Sequence, residues 1–153
     1  VEAGDEVIVV SPTYASYIPA VRLTGASPRF VALNEDANFD LDADAIEAAV
    51  NRRTRAILIS NPNNPTGTIY STAETERMLA LAERHGLVVI TDEVYKDFIW
   101  THETPGNPAK QARHRDRVVR ICSFSKTYGM TGWRVGFLHT ERGRAAEILK
   151  VHD

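Results

Sequence analysis

Short apolar segments alternate with helical patterns along most of this 153-residue chain. The segments are rich in the β-branched residues that favour strands. Six of them stand out: Glu6–Val10, Arg29–Leu33, Ala56–Ser60, Leu87–Thr91, Val118–Ser123 and Val135–His139. Strands that alternate with helices form a mostly parallel sheet with helices on its faces. The pattern therefore predicts an α/β protein with three layers, a sheet between two layers of helices.

Helical periodicity separates several of these strands and continues at the end of the chain. The predicted helices cover Tyr14–Leu23, Asp42–Asn51, Thr72–His85 and residues 145–153. The third has the clearest boundaries, because Ser71 and Glu74 form an S-x-x-E capping box before it and Gly86 follows it as a stop signal.

The final strand is expected to run antiparallel to the others. The stretch between Ser123 and Val135 is short and contains Gly129 and Gly132. A parallel crossover needs a dozen or more residues and usually contains a helix. We therefore predict a mixed sheet whose last strand is antiparallel.

Composition argues against several classes of partner and location. The net charge is -2 and the pI about 6.2, so no nucleic-acid or anionic-membrane partner is expected. No apolar run is long enough to span a membrane.

The single cysteine, Cys122, excludes an internal disulfide and fits a reducing compartment, so a cytoplasmic location is expected. Cys122 lies in an apolar strand and is predicted to be a buried thiol, and Trp100 and Trp133 are predicted to be packing residues. The histidines have no metal-ligand spacing, so no metal site is predicted.

Polar segments follow four of the predicted strands. They are Ser11–Tyr14, Asn61–Gly67, Asp92–Tyr95 and Ser123–Lys126. The carboxyl ends of strands in an open α/β sheet lie at one edge, where ligands bind. An antiparallel last strand would bring Arg134, which precedes it, to the same edge. We therefore expect five segments to meet in one crevice.

Lys126 and its neighbours suggest the chemistry of that crevice. Ser123 and Ser125 lie beside Lys126, and Arg134 follows eight residues later. Lysine amines form Schiff bases with carbonyl compounds, and arginine binds phosphate through two parallel hydrogen bonds. The set therefore suits a phosphorylated aldehyde.

Each candidate residue also has a simpler interpretation when it is taken alone. Lys126 could be a solvated surface charge, and Asn64 could be an ordinary turn residue. Asp92 could cap the segment that follows it. Tyr14 and Tyr95 could be aromatic residues of the core or its rim. Only the combination favours a binding site.

Three motifs together resemble a known family. NPNNPTG, TDEVY and SFSK followed by Arg134 look like the motifs of the fold-type-I, class I and II pyridoxal-phosphate-dependent aminotransferases. The resemblance covers nearly the whole chain, from GDEVIVVSPTYASY to the last helix. It implies that residues 1–153 are the central part of the large, cofactor-binding domain of that fold. An N-terminal segment and a C-terminal small domain would then lie outside this sequence.

The resemblance also implies a role for each candidate residue. Lys126 would form the Schiff base with pyridoxal 5'-phosphate and would then act as a general base. Asp92 would pair with the pyridinium nitrogen, while Asn64 and Tyr95 would hydrogen-bond the 3'-oxygen. Tyr14 would stack on the cofactor ring. The phosphate would be bound by Ser123, Arg134 and Ser125.

The implied reaction is transfer of an amino group between an amino acid and a 2-oxo acid, by a homodimer. The residues that bind the substrate carboxylate would lie outside this chain, so the isolated chain is expected to be inactive. Two alternatives stay open. The same scaffold also serves C–S lyases, decarboxylases and synthases, because the motifs do not choose the bond that breaks at Cα. It also occurs as a sensor domain in transcription regulators. A nucleotide-binding α/β domain is disfavoured, because no glycine-rich phosphate motif follows any strand.

Overall fold

The sheet has the predicted architecture. A computed structural model describes residues 1–102 and 104–152, and within these ranges it contains six strands: β1 (Glu6–Ser11), β2 (Ser27–Ala32), β3 (Thr54–Ser60), β4 (Val88–Asp92), β5 (Val118–Ser123) and β6 (Gly136–His139). Their order in the sheet is β2-β1-β3-β4-β5-β6. Strands β1 to β5 pair in parallel, and β6 pairs antiparallel with β5. The α/β class and the direction of the last strand are confirmed.

The four predicted helices are present, with shifted ends. They are α1 (Tyr17–Leu23), α2 (Ala43–Ala49), α3 (Thr72–Arg84) and α4 (Arg142–Leu149). The capping box of Ser71 and Glu74 forms in both directions, as predicted for α3. Helix α4 begins earlier than predicted and ends at Leu149, and the predicted last residue, Asp153, lies outside the described residues. No helix in the described part of the chain is long and apolar enough to cross a membrane.

Helices cover both faces of the sheet, as the three-layer prediction requires. Successive side chains of a strand point to opposite faces, and β1 illustrates the result. Ile8 and Val10 belong to the apolar cluster formed with α2 and α3. Val7 and Val9 belong to a second cluster, formed with α1. All four side chains are buried, so both faces of β1 are covered.

The register of the strands brings the predicted polar segments to one edge. Ser60, at the end of β3, pairs with Asp92 at the end of β4, and Asp92 pairs with Ile121 of β5. Ser123 ends β5 and pairs with Gly136, which begins β6. The segments that follow β3, β4 and β5, and the one that precedes β6, therefore leave the sheet at the same level.

Gly136 allows β6 to approach β5 closely. A Cβ at this position would lie 2.6 Å from the carbonyl oxygen of Cys122, closer than any relaxed contact allows. We expect Gly136→Ala to lower the free energy of unfolding of the full-length protein by about 1–3 kcal/mol, measured by denaturant titration. Gly132→Ala is the matched control, because a Cβ there would meet nothing within 4 Å. Equal stability of the two variants would contradict the close-approach argument.

Candidate functional site

A cavity of about 310 Å³ lies at the carboxyl edge of the sheet. All eight residues that the sequence singled out line it: Tyr14, Asn64, Asp92, Tyr95, Ser123, Ser125, Lys126 and Arg134. Five further residues complete the lining: Tyr17, Ser60, Val94, Ile121 and Thr131. The structure thus brings the five predicted segments together, while the chemical role of each residue stays a prediction.

Asp92 is fixed at the cavity by two hydrogen bonds. The backbone N–H of Val94 donates to Oδ1 at 3.0 Å, so Asp92 does cap the turn that follows β4. The hydroxyl of Tyr17 donates to Oδ2 at 2.7 Å. A carboxylate has about four acceptor positions, so Asp92 can accept a further donor from a ligand without giving up either contact.

Tyr17 contacts a candidate residue directly, although the sequence analysis gave it no role. It lies on α1, is 9% exposed, and reaches Asp92 across 75 residues of sequence. Burial and the nearby charge of Asp92 raise the pKa of the Tyr17 hydroxyl well above its ordinary value, so the phenol stays protonated and donates. The one local signal is its spacing from Tyr14, because residues three apart lie on the same side of a helical turn. The two rings do meet edge to face, with centroids 5.5 Å apart.

Tyr17→Phe should weaken any activity that depends on the Asp92 carboxylate. The substitution removes one donor to a charged acceptor but keeps the ring in the core, so we expect kcat to fall about tenfold with the fold intact. Tyr70→Phe is the control, because the Tyr70 hydroxyl is buried outside the cavity and has no hydrogen-bond partner among the described residues. Equal activity of the Tyr17→Phe and Tyr70→Phe variants would show that the hydrogen bond from Tyr17 does not contribute to the function of Asp92.

The asparagine-rich segment after β3 is held by two of its three asparagines. The side chain of Asn61 is buried and bonds the backbone of Tyr70 through both its oxygen and its nitrogen, each at 2.9 Å. Asn63 donates to the hydroxyl of Thr66 at 2.8 Å. The amide of Asn64 has no partner within the described part of the chain, and it lines the cavity. Asn64 is therefore the amide of this segment that is available to a ligand.

Lys126 lies on the turn that follows β5. Its Nζ is 5.9 Å from the centroid of the Tyr95 ring, at the outer limit of a cation–π contact. The turn is braced by the backbone N–H of Ser125, which donates to Ser123 Oγ at 3.1 Å, and by the hydroxyl of Thr131, which donates to the Ser125 carbonyl at 3.0 Å. The amine is exposed and can be reached from the cavity.

Arg134 places a guanidinium in the wall of the cavity. Its backbone has φ of 53°, in the left-handed region that arginine seldom adopts. Its Nη1 donates to the Thr131 carbonyl at 3.0 Å. A guanidinium has five N–H donors, so the others can bind an anion together with the hydroxyls of Ser123 and Ser125.

A buried ion pair accompanies the cavity without lining it. Glu93, the neighbour of Asp92, is 4% exposed, and its Oε2 accepts from the Nε of Arg120 at 2.6 Å. Burial raises the pKa of Glu93, while the hydrogen bond from Arg120 acts in the opposite direction. Arg120 therefore offsets the charge of Glu93, which would otherwise be a second negative charge directly beside Asp92. The sequence analysis did not predict this ion pair.

The remaining predictions concern residues outside the cavity lining. Cys122 is buried on β5, as predicted, and burial raises the pKa of its thiol. Trp100 and Trp133, which were predicted to be packing residues, are instead 84% and 74% exposed. Across the described residues, no group of three or more His, Cys, Asp or Glu side chains is arranged to hold a metal ion.

Comparison with known proteins gives a consistent match over this chain. A sequence model described as aminotransferase class I and II matches residues 1–151. The chain is 37% identical to an aspartate aminotransferase of Thermotoga maritima over 99% of its own length and 40% of the relative. It is 36% identical to a methionine aminotransferase of Escherichia coli over 100% of its own length and 39% of the relative.

Solved structures match as well. The crystal structure of an aspartate aminotransferase from Thermotoga maritima aligns with a TM-score of 0.94 at 37% identity, covering 99% of this chain and 40% of that one. An N-succinyldiaminopimelate aminotransferase from Mycobacterium tuberculosis aligns with a TM-score of 0.88 at 39% identity, covering 92% and 37%. The chain thus spans about 40% of the length of the curated relatives it matches.

Proposed function

Because this chain belongs to the class I and II aminotransferase family, we propose that it forms the cofactor-binding part of an enzyme that transfers an amino group from an amino acid to a 2-oxo acid. One observation carries the proposal. Five segments, spread along the chain from Tyr14 to Arg134, bring an amine, a carboxylate, an amide, phenols and an arginine with two serine hydroxyls to one cavity.

These groups fit pyridoxal 5'-phosphate. Lys126 supplies a primary amine for its aldehyde, and Arg134 with the two serines supplies donors for its phosphate. Asp92 retains acceptor capacity for a protonated ring nitrogen, beyond its bonds to Val94 and Tyr17. When bound, the cofactor supplies an electron-withdrawing ring that stabilises negative charge at the Cα of an amino acid. The donor set therefore matches the chemistry that the family requires.

The chain's own residues divide the remaining tasks. The Asp92 carboxylate favours a proton on the ring nitrogen by charge and by hydrogen bonding. Asn64 and Tyr95 offer hydrogen bonds to the ring hydroxyl, and the exposed ring of Tyr14 offers a stacking surface. The free amine of Lys126 accepts a proton from Cα and returns it, since a positioned amine can act as a general base.

The reaction class is tested by following nitrogen. The full-length protein is incubated with an isotope-labelled amino acid and a panel of 2-oxo acids, and the label is traced. Label found in a new amino acid, only when an oxo acid is present, supports amino transfer. Free ammonia with pyruvate would identify a C–S lyase instead, and carbon dioxide would identify a decarboxylase.

Arg134 provides a second test, through cofactor affinity. Replacing it with glutamine removes a charged donor to the phosphate, so we expect the dissociation constant for pyridoxal phosphate to rise about tenfold or more. Fluorescence titration of the full-length protein measures it. Arg113→Gln is the control, because Arg113 is exposed and pairs with Glu83 away from the cavity. Equal affinity in the two variants would remove Arg134 from the phosphate site.

Part of the proposal concerns the rest of the protein. We propose that the chain belongs to a larger cofactor-binding domain, supported by its coverage of about 40% of its relatives. The residues that bind the substrate carboxylate would then lie elsewhere, and the 153 residues alone would not transaminate. The exposure of Trp133 and Tyr128 (74% and 66%), on the segment between Lys126 and Arg134, supports a homodimer. A cytoplasmic location remains part of the proposal.

A further inference from the structure

The turn after β4 touches the turn after β5 at two points. The first is the approach of Lys126 Nζ to the ring of Tyr95, described above. The second lies one residue further along the later turn, where the hydroxyl of Thr127 donates to Asp97 Oδ2 at 2.8 Å. Thirty residues separate these partners in sequence. The second contact involves neither the cavity lining nor any residue to which a role has been given.

Asp97 also forms an exposed ion pair with its neighbour Lys96. Lys96 Nζ lies 2.8 Å from Oδ1 and 2.7 Å from Oδ2 of Asp97. The hydrogen bond from Lys96, together with that from Thr127, lowers the pKa of Asp97, so its side chain is a carboxylate at neutral pH. A carboxylate can only accept hydrogen bonds. The direction of the contact is therefore fixed, with Thr127 as the donor and Asp97 as the acceptor.

The position of Lys126 depends on the turn that carries it. Its side chain is long, flexible and exposed. The backbone around it forms a turn closed by bonds of 3.2 Å from Gly129 N to the Lys126 carbonyl and from Tyr128 N to the Phe124 carbonyl, in addition to the two bonds at Ser125 described above. Adjacent Cα atoms are about 3.8 Å apart, so a tether on Thr127 restrains the Cα of Lys126 directly.

We propose that Asp97 and Thr127 are positioning residues, whose hydrogen bond holds the turn that carries Lys126 against the turn that carries Tyr95. The proposal rests on the proposed function for the importance of Lys126, but the contact itself can be tested without activity. An exposed polar contact contributes little to global stability. Its loss should therefore leave the melting temperature nearly unchanged. The position of the Lys126 amine should change, because the two turns are no longer held together.

The experiment compares variants of the full-length protein that differ in one atom group. Thr127→Val keeps the shape of the side chain and removes the donor, whereas Thr127→Ser keeps the donor. Asp97→Ala removes the acceptor. Lys96→Gln is the control for the neighbouring ion pair, because it leaves both partners of the proposed contact in place. The double variant of Asp97→Ala with Thr127→Val tests whether the two residues act as one unit.

The first measurement uses protein without cofactor. Amide hydrogen exchange in the peptide around residues 123–130 should be about fivefold faster or more in Thr127→Val and Asp97→Ala. It should stay at the parent rate in Thr127→Ser and Lys96→Gln. Parent-like exchange in Thr127→Val would overturn the proposal.

The second measurement uses the loaded enzyme. We expect Thr127→Val to lower kcat between about 5- and 100-fold, as a displaced catalytic group does, with KM nearly unchanged and Thr127→Ser restoring the rate. The double variant should be no slower than the worse single variant. Two outcomes would show that the contact does not position Lys126. One is a double variant in which the two single effects on kcat multiply, and the other is a normal kcat in Thr127→Val despite faster amide exchange. If the parent protein itself transfers no amino group, the proposed function fails. The role of the contact is then still decided by amide hydrogen exchange and by borohydride trapping of pyridoxal phosphate on Lys126.

Discussion

Replacing Lys126 with alanine should abolish amino transfer by the full-length protein. Lys126 is the one lysine that lines the cavity in the described part of the chain, and under the proposed function it would supply both the amine for the cofactor and the base for the proton. Loss of a positioned general base alone lowers a rate by roughly 10²–10⁴-fold, and loss of the covalent attachment adds to this. The side chain is exposed, so the fold should survive. Initial rates at saturating amino acid and oxo acid, with circular dichroism, measure both effects.

The same assignment can be checked by chemistry. Borohydride reduction of the loaded enzyme should fix the cofactor on Lys126, and peptide mapping should find the label there. Lys150→Ala is the matched control for the alanine variant, because its amine pairs with Glu147 on the surface, 2.6 Å away. A label on Lys96, Lys110 or Lys150 would contradict the assignment.

Replacing Asp92 with asparagine should lower kcat by about 10²–10³-fold, the range seen when a single electrostatic contact to the reacting group is removed. Asparagine keeps one oxygen, which can accept from the N–H of Val94 and so preserve the turn, while its Nδ2–H2 group would donate to the hydroxyl of Tyr17 and reverse the direction of that contact. What disappears is the negative charge that, under the proposed function, would favour a protonated ring nitrogen. Asp92→Glu should be less damaging, because it retains the charge.

Two comparisons separate the charge of Asp92 from its capping role. Asp116→Asn removes a carboxylate that is 70% exposed, and it should leave kcat unchanged. Urea unfolding should give Asp92→Asn nearly the parent stability, since the cap survives. A near-normal kcat in Asp92→Asn would reduce Asp92 to a structural cap.

The sheet was predictable because its signal is local. The run from Ala56 to Ile59 is apolar throughout, and the strand that it forms, β3, is almost entirely buried. Each predicted strand lies within about two residues of the observed one. The antiparallel direction of β6 followed from chain length alone, since too few residues separate Ser123 from Val135 for a crossover. Knowing where the strands end then placed the polar segments at one edge.

The contacts between segments were not predictable in the same way. The bond from Tyr17 to Asp92 depends on how α1 packs against the end of β4, and the pair of Glu93 with Arg120 depends on the register of β4 and β5. No local periodicity encodes either. The exposure of Trp133 was also missed, because an aromatic side chain signals burial against something without indicating what covers it.

The placement of the cavity at one edge also has a consequence for how the molecule folds and unfolds. Its lining residues extend from Tyr14 to Arg134, and they meet only after the parallel pairings of β1 with β3, β3 with β4 and β4 with β5 have closed. Such long-range pairings form slowly, whereas the neighbouring strands β5 and β6 can pair early. A ligand that needs all five segments therefore has no affinity for a partly assembled sheet. Its binding free energy stabilises the finished sheet alone, and each molecule that binds slows the opening of strands that it does not touch.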